Sequence, residues 1–336
     1  MGRQKRPPEA EYVERSSKVV AAISKPEWSS WERKIDKIGA RDFNEVMGGW
    51  LAHIPEIQPS GSAPTEGLDS IAALSESFKL AAPNGDYISS DSSLLGARQP
   101  ILHEAFFLAH KAIHVQLSAA EAVKRGRYTW ALVDAYQASL FALGSILAFL
   151  GISNERDGSD FLVIDVWSPV AKRKADIKLA EAYGCQLIRF KTLDHFHKWA
   201  LFKRVLRTLK IESPLVLTLK EALRSTDDKS FAVHRNTVHY NSRAWLFDDL
   251  LADQTAQGVM PAASLQEVHD SIYEGSYNGS VYLMCALIEF ACMCAEALSS
   301  SEVVKKEIDF LNRRESAVKV FSQFAWNSFY GTCVSR

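Results

Sequence analysis

The sequence predicts a mainly α-helical protein that carries a small strand–helix–strand insertion and an N-terminal helical extension. Apolar residues recur at three- and four-residue intervals over long stretches, as they do on the buried face of a helix. Short β-branched and aromatic runs occur at residues 161–190. A stretch rich in proline, glycine and serine separates the first 54 residues from the rest of the 336-residue chain.

These patterns divide the chain into four parts. Residues 1–54 form the helical extension, 55–99 a linker or irregular segment, 100–300 a helical domain with an insertion at 153–192, and 301–336 a C-terminal helical tail. In the extension, Ser29-Ser30-Trp31-Glu32 has the spacing of a capping box and predicts a helix through Ile38. The linker contains one short predicted helix, Leu68–Leu80.

Two long helices are predicted at the start of the helical domain. Ile101–Lys124 carries apolar residues at helical intervals until Gly126 breaks the pattern. Tyr128–Leu150 resumes it, and Gly151 is the kind of residue that ends a helix. Because only a short turn joins them, we expect the two helices to form an antiparallel hairpin.

The insertion and the helices after it follow different patterns. Phe161–Trp167 and Gln186–Phe190 predict strands, with a helix at Ala171–Tyr183 between them. Lys198–Leu209 predicts a helix, and a capping-box spacing at Thr218 predicts the start of another.

Three further helical segments complete the prediction. The first runs from about Phe231 to Leu251. A capping box at Ser264 starts the second, which is the most apolar and extends to about Leu298. Residues 302–327 predict one or two last helices.

Composition and charge predict a cytoplasmic protein with no membrane partner. The net charge is −1, so no overall field attracts the chain to nucleic acid or lipid. Three of the five cysteines fall in one apolar helical stretch and no CxxC pair is present, which is typical of buried thiols in a reducing compartment. The apolar stretches Ala138–Ile152 and Val281–Ala295 are shorter than the roughly 20 residues of a membrane span.

The segment His234-Arg235-Asn236-Thr237-Val238-His239-Tyr240 concentrates the most chemistry. In a helix, Arg235 and His239 would lie on one face with Cβ atoms about 6 Å apart. A permanent cation beside a group that exchanges a proton near neutral pH suits work on a phosphodiester. The alternatives are a solvated Arg–His pair, or an interface or core histidine bonded to a carbonyl.

The chain resembles the HEPN superfamily (higher eukaryotes and prokaryotes nucleotide-binding domains). The resemblance rests on Asp134–Leu143 with Leu150-Gly151-Ile152, and on Arg235-Asn236 followed by His239. Members usually have four to six residues between the arginine and the histidine, and this chain has three. The resemblance implies a helical bundle that pairs with itself or a partner, and a metal-independent ribonuclease whose composite site forms across a dimer. Such enzymes are frequent in toxin–antitoxin and phage-defence systems.

The predicted reaction is RNA cleavage through attack by the 2′-hydroxyl on its own phosphate. His239 would act as general base or acid, Arg235 would hold the phosphate, and Asn236 would orient either group. No metal and no cofactor are expected. The excess of basic and interleaved aromatic residues between Lys172 and Lys210 predicts RNA contacts. The alternative is a basic face that is solvated or that docks on an acidic partner. The predicted RNA-binding residues are His234, Tyr240, Lys198, Lys203, Arg204 and Arg207.

The function predicted is therefore an endoribonuclease effector, with an inhibitor or antitoxin protein as a candidate partner. The alternative is a non-catalytic helical module that binds RNA or a protein in a defence complex.

Two metal-site readings are disfavoured by the sequence. Asp160 and Asp165 precede basic residues as in metal-dependent nucleases, but the second strand offers no adjacent carboxylate. His195 and His197 would point about 200° apart on a helix, so we expect a helix start with Asp194 as N-cap.

Overall fold

The computed structural model describes residues 25–53, 87–89, 95–157, 159–170, 184–224, 226, 264–275 and 277–321. Within them lie nine α-helices and four β-strands, so the prediction of a mainly helical protein with a small sheet is confirmed. The helices are α1 Lys25–Ile35, α2 Phe43–His53, α3 Leu95–Lys124, α4 Tyr128–Phe149, α5 His195–Thr208, α6 Pro214–Arg224, α7 Leu265–Glu274, α8 Tyr277–Glu296 and α9 Glu302–Phe321. The strands are β1 Tyr87–Ser89, β2 Ile152–Asp157, β3 Asp160–Ser168 and β4 Gly184–Phe190.

The chain divides into two compact units, Met1–Lys37 and Ile38–Arg336. In the smaller unit the structure describes α1 and the turn after it, where the Asp36 amide donates to the Glu32 carbonyl. The predicted helix start at Ser29 is wrong, because the helix already begins at Lys25. Pro26 suits a first helical turn, since its φ is preset and its missing N–H would have no partner there.

The predicted antiparallel hairpin is confirmed as α3 and α4 in the larger unit. The Ser145 hydroxyl on α4 donates to the Ala105 carbonyl on α3 over 2.7 Å. Lys111 lies over the ring of Phe141, 4.6 Å from its centroid. Gly126 adopts φ +69° in the turn between the helices, a conformation that glycine reaches without steric cost.

The sheet has the strand order β1-β4-β3-β2, and every neighbouring pair is antiparallel. The two strands predicted in the insertion are confirmed as β3 and β4. Sequence reasoning missed β1, which has three residues, and β2, whose sequence ISNERD lacks an apolar alternation. The helix predicted at Ala171–Tyr183 and the one at Leu68–Leu80 lie outside the described residues.

Helices α6 to α9 complete the larger unit. Helix α8 packs on α4 and α3, α9 packs on α3, and α7 packs on both α6 and α8. Ser264 caps α7 as predicted, with its hydroxyl accepting from the Glu267 amide over 3.2 Å. The prediction of one helix to Leu298 is wrong, because Gly275 at φ +66° ends α7 and α8 starts two residues later.

Two other predicted helix starts are also wrong. Thr218 lies inside α6, which begins at Pro214, and its hydroxyl donates back to the Pro214 carbonyl over 2.9 Å. Helix α5 begins at His195, three residues before the predicted Lys198. In both cases a residue upstream, Ser213 or Asp194, accepts a backbone N–H and starts the helix earlier.

A buried ion pair fixes α2 against the sheet. The Arg41 guanidinium donates to the Asp165 carboxylate on β3 over 2.7 Å and to the Leu150 carbonyl over 2.5 Å. The second carboxylate oxygen of Asp165 accepts from the Trp167 amide over 3.2 Å. The side chains of Arg41 and Asp165 are at most 1% exposed. Asp165 therefore serves packing, and the reading of Asp165 as a nuclease ligand is wrong.

Two helices, Tyr128–Phe149 and Asn278–Glu296, are long and apolar enough to cross a membrane by length and composition. In each, about three quarters of the most apolar window is buried inside the protein (72% and 78%), as in the core helix of a globular domain. The three cysteines of α8, Cys285, Cys292 and Cys294, are buried as predicted.

Candidate functional site

The Arg–His motif lies outside the described residues. This holds for Arg235, Asn236 and His239, for the predicted RNA contacts His234 and Tyr240, and for the whole predicted helix Phe231–Leu251. The helices on either side are described: α6 ends at Arg224, and α7 begins at Leu265. Both pack on α8 and on each other, so the two ends of the motif segment are held on the helical bundle.

The four predicted RNA-binding residues of α5 occupy different environments. Arg207 is exposed. Lys203 is half-buried, and its ammonium donates to the Thr226 carbonyl. Arg204 is half-buried. Lys198 is half-buried and lines a cavity. The four side chains therefore do not form one exposed basic surface.

The N-cap predicted for α5 is confirmed, although the apolar pattern placed the start of the helix at Lys198. Asp194 is the N-cap, and its carboxylate accepts from the His197 amide over 3.1 Å and contacts His197 Nδ1 at 2.6 Å. Burial would raise the pKa of Asp194, but the side-chain and backbone hydrogen bonds from His197 hold it below its usual value. His197 is buried, whereas His195 is exposed and lies against the ring of Tyr136. Within the described part of the chain, no three His, Cys, Asp or Glu side chains are grouped to hold a metal.

A cavity of about 150 Å³ lies between α3, α4, β2 and α5. One part of its wall is apolar and consists of Leu108, Leu140, Phe141, Leu143, Leu147, Ile152 and Leu201. The other part is polar and consists of Glu104, Gln137, Ser153, Asn154, His195 and Lys198. Helix α5 places His195 and Lys198 one turn apart, so both side chains reach the same wall.

One carboxyl group, that of Glu104, lies in the polar part of this cavity, and a second, that of Glu155, lies near it. The Ser153 hydroxyl on β2 donates to Glu104 on α3. Glu155 is two residues further along β2, on the same side of the strand as Ser153. Glu155 is close enough to Glu104 and Lys198 for their charges to change its pKa. The polar wall therefore combines the Glu104 carboxyl group with the Lys198 ammonium group, and Glu155 lies close to both.

Burial raises the pKa values of both carboxyl groups. For Glu104 the hydrogen bond from Ser153 and the charge of Lys198 oppose this rise but do not cancel it. For Glu155, burial and the negative charge of Glu104 together raise the pKa to about 7, against the effect of Lys198. Burial lowers the pKa of Lys198, and the two glutamates act against that decrease. Glu155 can therefore exchange a proton near neutral pH.

The charged groups of the cavity influence one another without direct contact. Among the residues that the structure describes, Lys198 and Glu155 make no ion pair within 4.0 Å and no side-chain hydrogen bond. Half-buried charges normally find a hydrogen-bonding partner, because desolvating them otherwise costs free energy. The cavity therefore presents separated positive and negative groups to whatever molecule enters it.

Sequence reasoning identified Lys198 but missed Glu104 and Glu155. A signal for Glu104 was present: it lies three residues after Ile101 and four before Leu108, on an apolar face of the predicted helix. A carboxylate in such a position is rare without a specific role or partner. Glu155 gave no signal, because β2 itself was not predicted.

No protein-family model, no curated protein and no solved structure matches the chain. Its function is therefore inferred from its own residues and their surroundings.

Proposed function

We propose that the protein is a metal-independent endoribonuclease of the HEPN type, with Arg235, Asn236 and His239 as its catalytic residues. The observation that carries the proposal is the seven-residue segment from His234 to Tyr240, which combines an arginine and a histidine at helical spacing. The α3–α4 hairpin backed by α8 supports it, since the family is built on a helical bundle of this kind. The motif segment connects two helices of that bundle, α6 and α7.

The chemistry needs no metal because RNA carries its own nucleophile. His239 takes the proton of the 2′-hydroxyl, and the 2′-oxygen forms a bond to phosphorus. The bond from phosphorus to the 5′-oxygen breaks, and the matching histidine of a second copy gives that oxygen a proton. The products are a 2′,3′-cyclic phosphate and a 5′-hydroxyl. Arg235 stabilises the negative charge that develops on the phosphate oxygens.

RNA contacts outside the motif come from α5 and from the residues next to the catalytic pair. Arg207 is the exposed member of the predicted basic set and is the best placed to meet a phosphate. His234 and Tyr240 supply rings for base stacking. We place the enzyme in the cytoplasm as a homodimeric effector of a toxin–antitoxin or phage-defence system, restrained by an inhibitor protein.

The test compares RNA cleavage by the wild-type protein with that by Arg235→Ala and His239→Ala. Loss of a general acid–base catalyst lowers the rate by about 100-fold or more. His269→Ala is the matched control, since His269 is a histidine on α7 that contacts Asp270 and lies outside the motif. Circular dichroism and sedimentation verify that folding and oligomeric state are retained. Unchanged cleavage in both motif variants would refute the proposal.

The second candidate function is a non-catalytic helical module that binds RNA or a protein partner in a defence complex. A binding module of this kind would use exposed apolar side chains such as Phe107, which is 60% exposed, and Tyr273, which is 55% exposed. This function predicts that the purified protein cleaves no RNA, and that Arg235→Ala and His239→Ala retain partner binding.

A further inference from the structure

We propose that the cavity between α3, α4, β2 and α5 binds a small zwitterion of the α-amino-acid class with an apolar side chain. Glu104 receives its ammonium group, and Lys198 receives its carboxylate. The leucine-rich wall takes its side chain. This site is separate from the proposed ribonuclease motif, and it stands whether or not that motif is active.

The charged groups of the wall determine which charged groups the ligand must carry. The acid of the wall, Glu104, comes from α3, whereas Lys198 and His195 come from α5. Since Lys198 has no carboxylate within 4.0 Å among the described residues, it keeps its N–H donors for an incoming anionic group. A molecule with one positive and one negative group satisfies both sides of the wall at once. Asn154 and Gln137 add amide groups beside them.

The apolar part of the wall selects the ligand's side chain and its size. Leu140, Leu143 and Leu147 contribute from α4, and Leu201 contributes from α5. An apolar cavity of about 150 Å³ holds a molecule as large as benzene. The cavity here has that volume, about 150 Å³, but a polar wall takes part of it. L-leucine is therefore the probe, because its four-carbon side chain is smaller than benzene and suits the apolar part of the cavity, while its two charged ends suit the polar wall.

Two other ligand classes fit the wall less well. A metal cation would meet the positive charge of Lys198 beside only two carboxyl groups. A nucleobase is neutral, so it would leave the charges of Glu104 and Lys198 without compensation. Uridine is therefore included in the test as the competing probe.

The first experiment is calorimetric titration of the full-length protein with L-leucine and two truncated analogues, each up to about 10 mM. Isoamylamine lacks the carboxylate and 4-methylpentanoate lacks the ammonium group. Losing one hydrogen bond to a charged group weakens binding by about tenfold or more, so each analogue is expected to bind at least about tenfold more weakly than leucine. This comparison uses only the wild-type protein, so its result does not depend on the folding of a variant. Failure of leucine to bind, equal binding by an analogue, or binding of uridine in place of leucine would each overturn the proposal.

The second experiment assigns the two ends of the ligand to residues. Lys198→Met is expected to weaken leucine binding by at least about tenfold while changing isoamylamine binding little, because that analogue has no carboxylate to lose. Glu104→Gln is expected to weaken leucine binding to a similar extent while changing 4-methylpentanoate binding little, because that analogue has no ammonium group to lose. Arg224→Met removes an exposed cation of α6 outside the cavity and is expected to leave leucine binding unchanged. Equal effects of Lys198→Met on all three ligands would contradict the assignment.

Discussion

The larger unit contains two groups of buried or half-buried charges that are built in opposite ways. At the corner between α2 and the sheet, Arg41 and Asp165 touch at 2.7 Å, Arg41 also donates to the Leu150 carbonyl, and Asp165 also accepts from the Trp167 amide. In the cavity, Glu155 and Lys198 influence each other's pKa without an ion pair within 4.0 Å among the described residues. The first pair is joined by direct contact, whereas in the second region Glu104 and Lys198 line a cavity of about 150 Å³.

Aromatic side chains pack closely around the first pair. Arg98 lies 4.0 Å from the ring centroid of Trp167, and Trp50 meets that ring edge-on at 5.1 Å. The Trp50 indole N–H donates to the Phe149 carbonyl over 2.6 Å. Charges that satisfy one another stabilise a fold, whereas charges held apart beside a cavity are available for a ligand. Burial of a charge alone does not distinguish these two roles.

The largest effect is expected from breaking the corner pair. Asp165→Ala leaves the Arg41 guanidinium buried without its carboxylate, and we expect a loss of about 3–5 kcal/mol in the free energy of unfolding. Urea denaturation followed by circular dichroism measures it. Asp160→Asn, which alters the ion pair with the exposed Lys191, is the control and is expected to cause no measurable change. Similar stability of the two variants would show that the corner pair does not hold the fold.

Two glycine-to-alanine substitutions, one beside the Arg41–Asp165 pair and one beside the cavity, are expected to have smaller and different effects on stability. Gly151 has φ +81°, and a Cβ there would lie 2.3 Å from the Trp167 ring, so Gly151→Ala is expected to destabilise the protein by about 2 kcal/mol or more. Gly144 is helical, and its added Cβ would meet only the end of Leu108 at 3.1 Å.

Because Leu108 lines the cavity, it has space to move away from the new methyl group. Gly144→Ala is therefore expected to be neutral or to stabilise helix α4 by up to about 1 kcal/mol. The same denaturation series measures both variants. If Gly144→Ala lowered the free energy of unfolding more than Gly151→Ala, the proposed difference between the two regions would be wrong.

The smallest effect concerns pH. Glu155 has a folded-state pKa of about 7, above the unfolded value of 4.5. The folded protein therefore binds more protons than the unfolded chain between these values, and the stability contributed by protonated Glu155 is lost as pH rises from 4.5 through about 7. Glu155→Gln cannot titrate and is expected to flatten this part of the stability curve. If the stability of the wild type and of Glu155→Gln depended on pH in the same way, Glu155 would be more solvated than the structure indicates.

The sequence predicted those features that local patterns determine. Helical periodicity and the turn at Gly126 were enough for the α3–α4 hairpin, and Asp194 and Ser264 were identified as helix caps. The sequence did not predict β2, because its polar residues are held by pairing with β3. Glu155 was missed for the same reason. The helix start predicted at Thr218 was wrong because capping-box spacing can also occur inside a helix. In α6 the residue that accepts a backbone N–H at the helix start is Ser213, further upstream.

The cavity illustrates the limit of such predictions. Glu104, Glu155 and Lys198 come from three elements that are far apart in sequence, and only the tertiary fold brings their charges together. The Arg–His motif is the reverse case, since the four-residue spacing of Arg235 and His239, which a helix would bring to one face, is read from the sequence alone.

Cleavage of an RNA oligonucleotide and of its 2′-deoxy counterpart, both in excess EDTA, tests the proposed ribonuclease function most directly. The proposed mechanism predicts that the wild-type protein cuts the RNA and leaves a 2′,3′-cyclic phosphate, while the deoxy strand stays intact. Cleavage of both strands, or loss of RNA cleavage in EDTA, would contradict it.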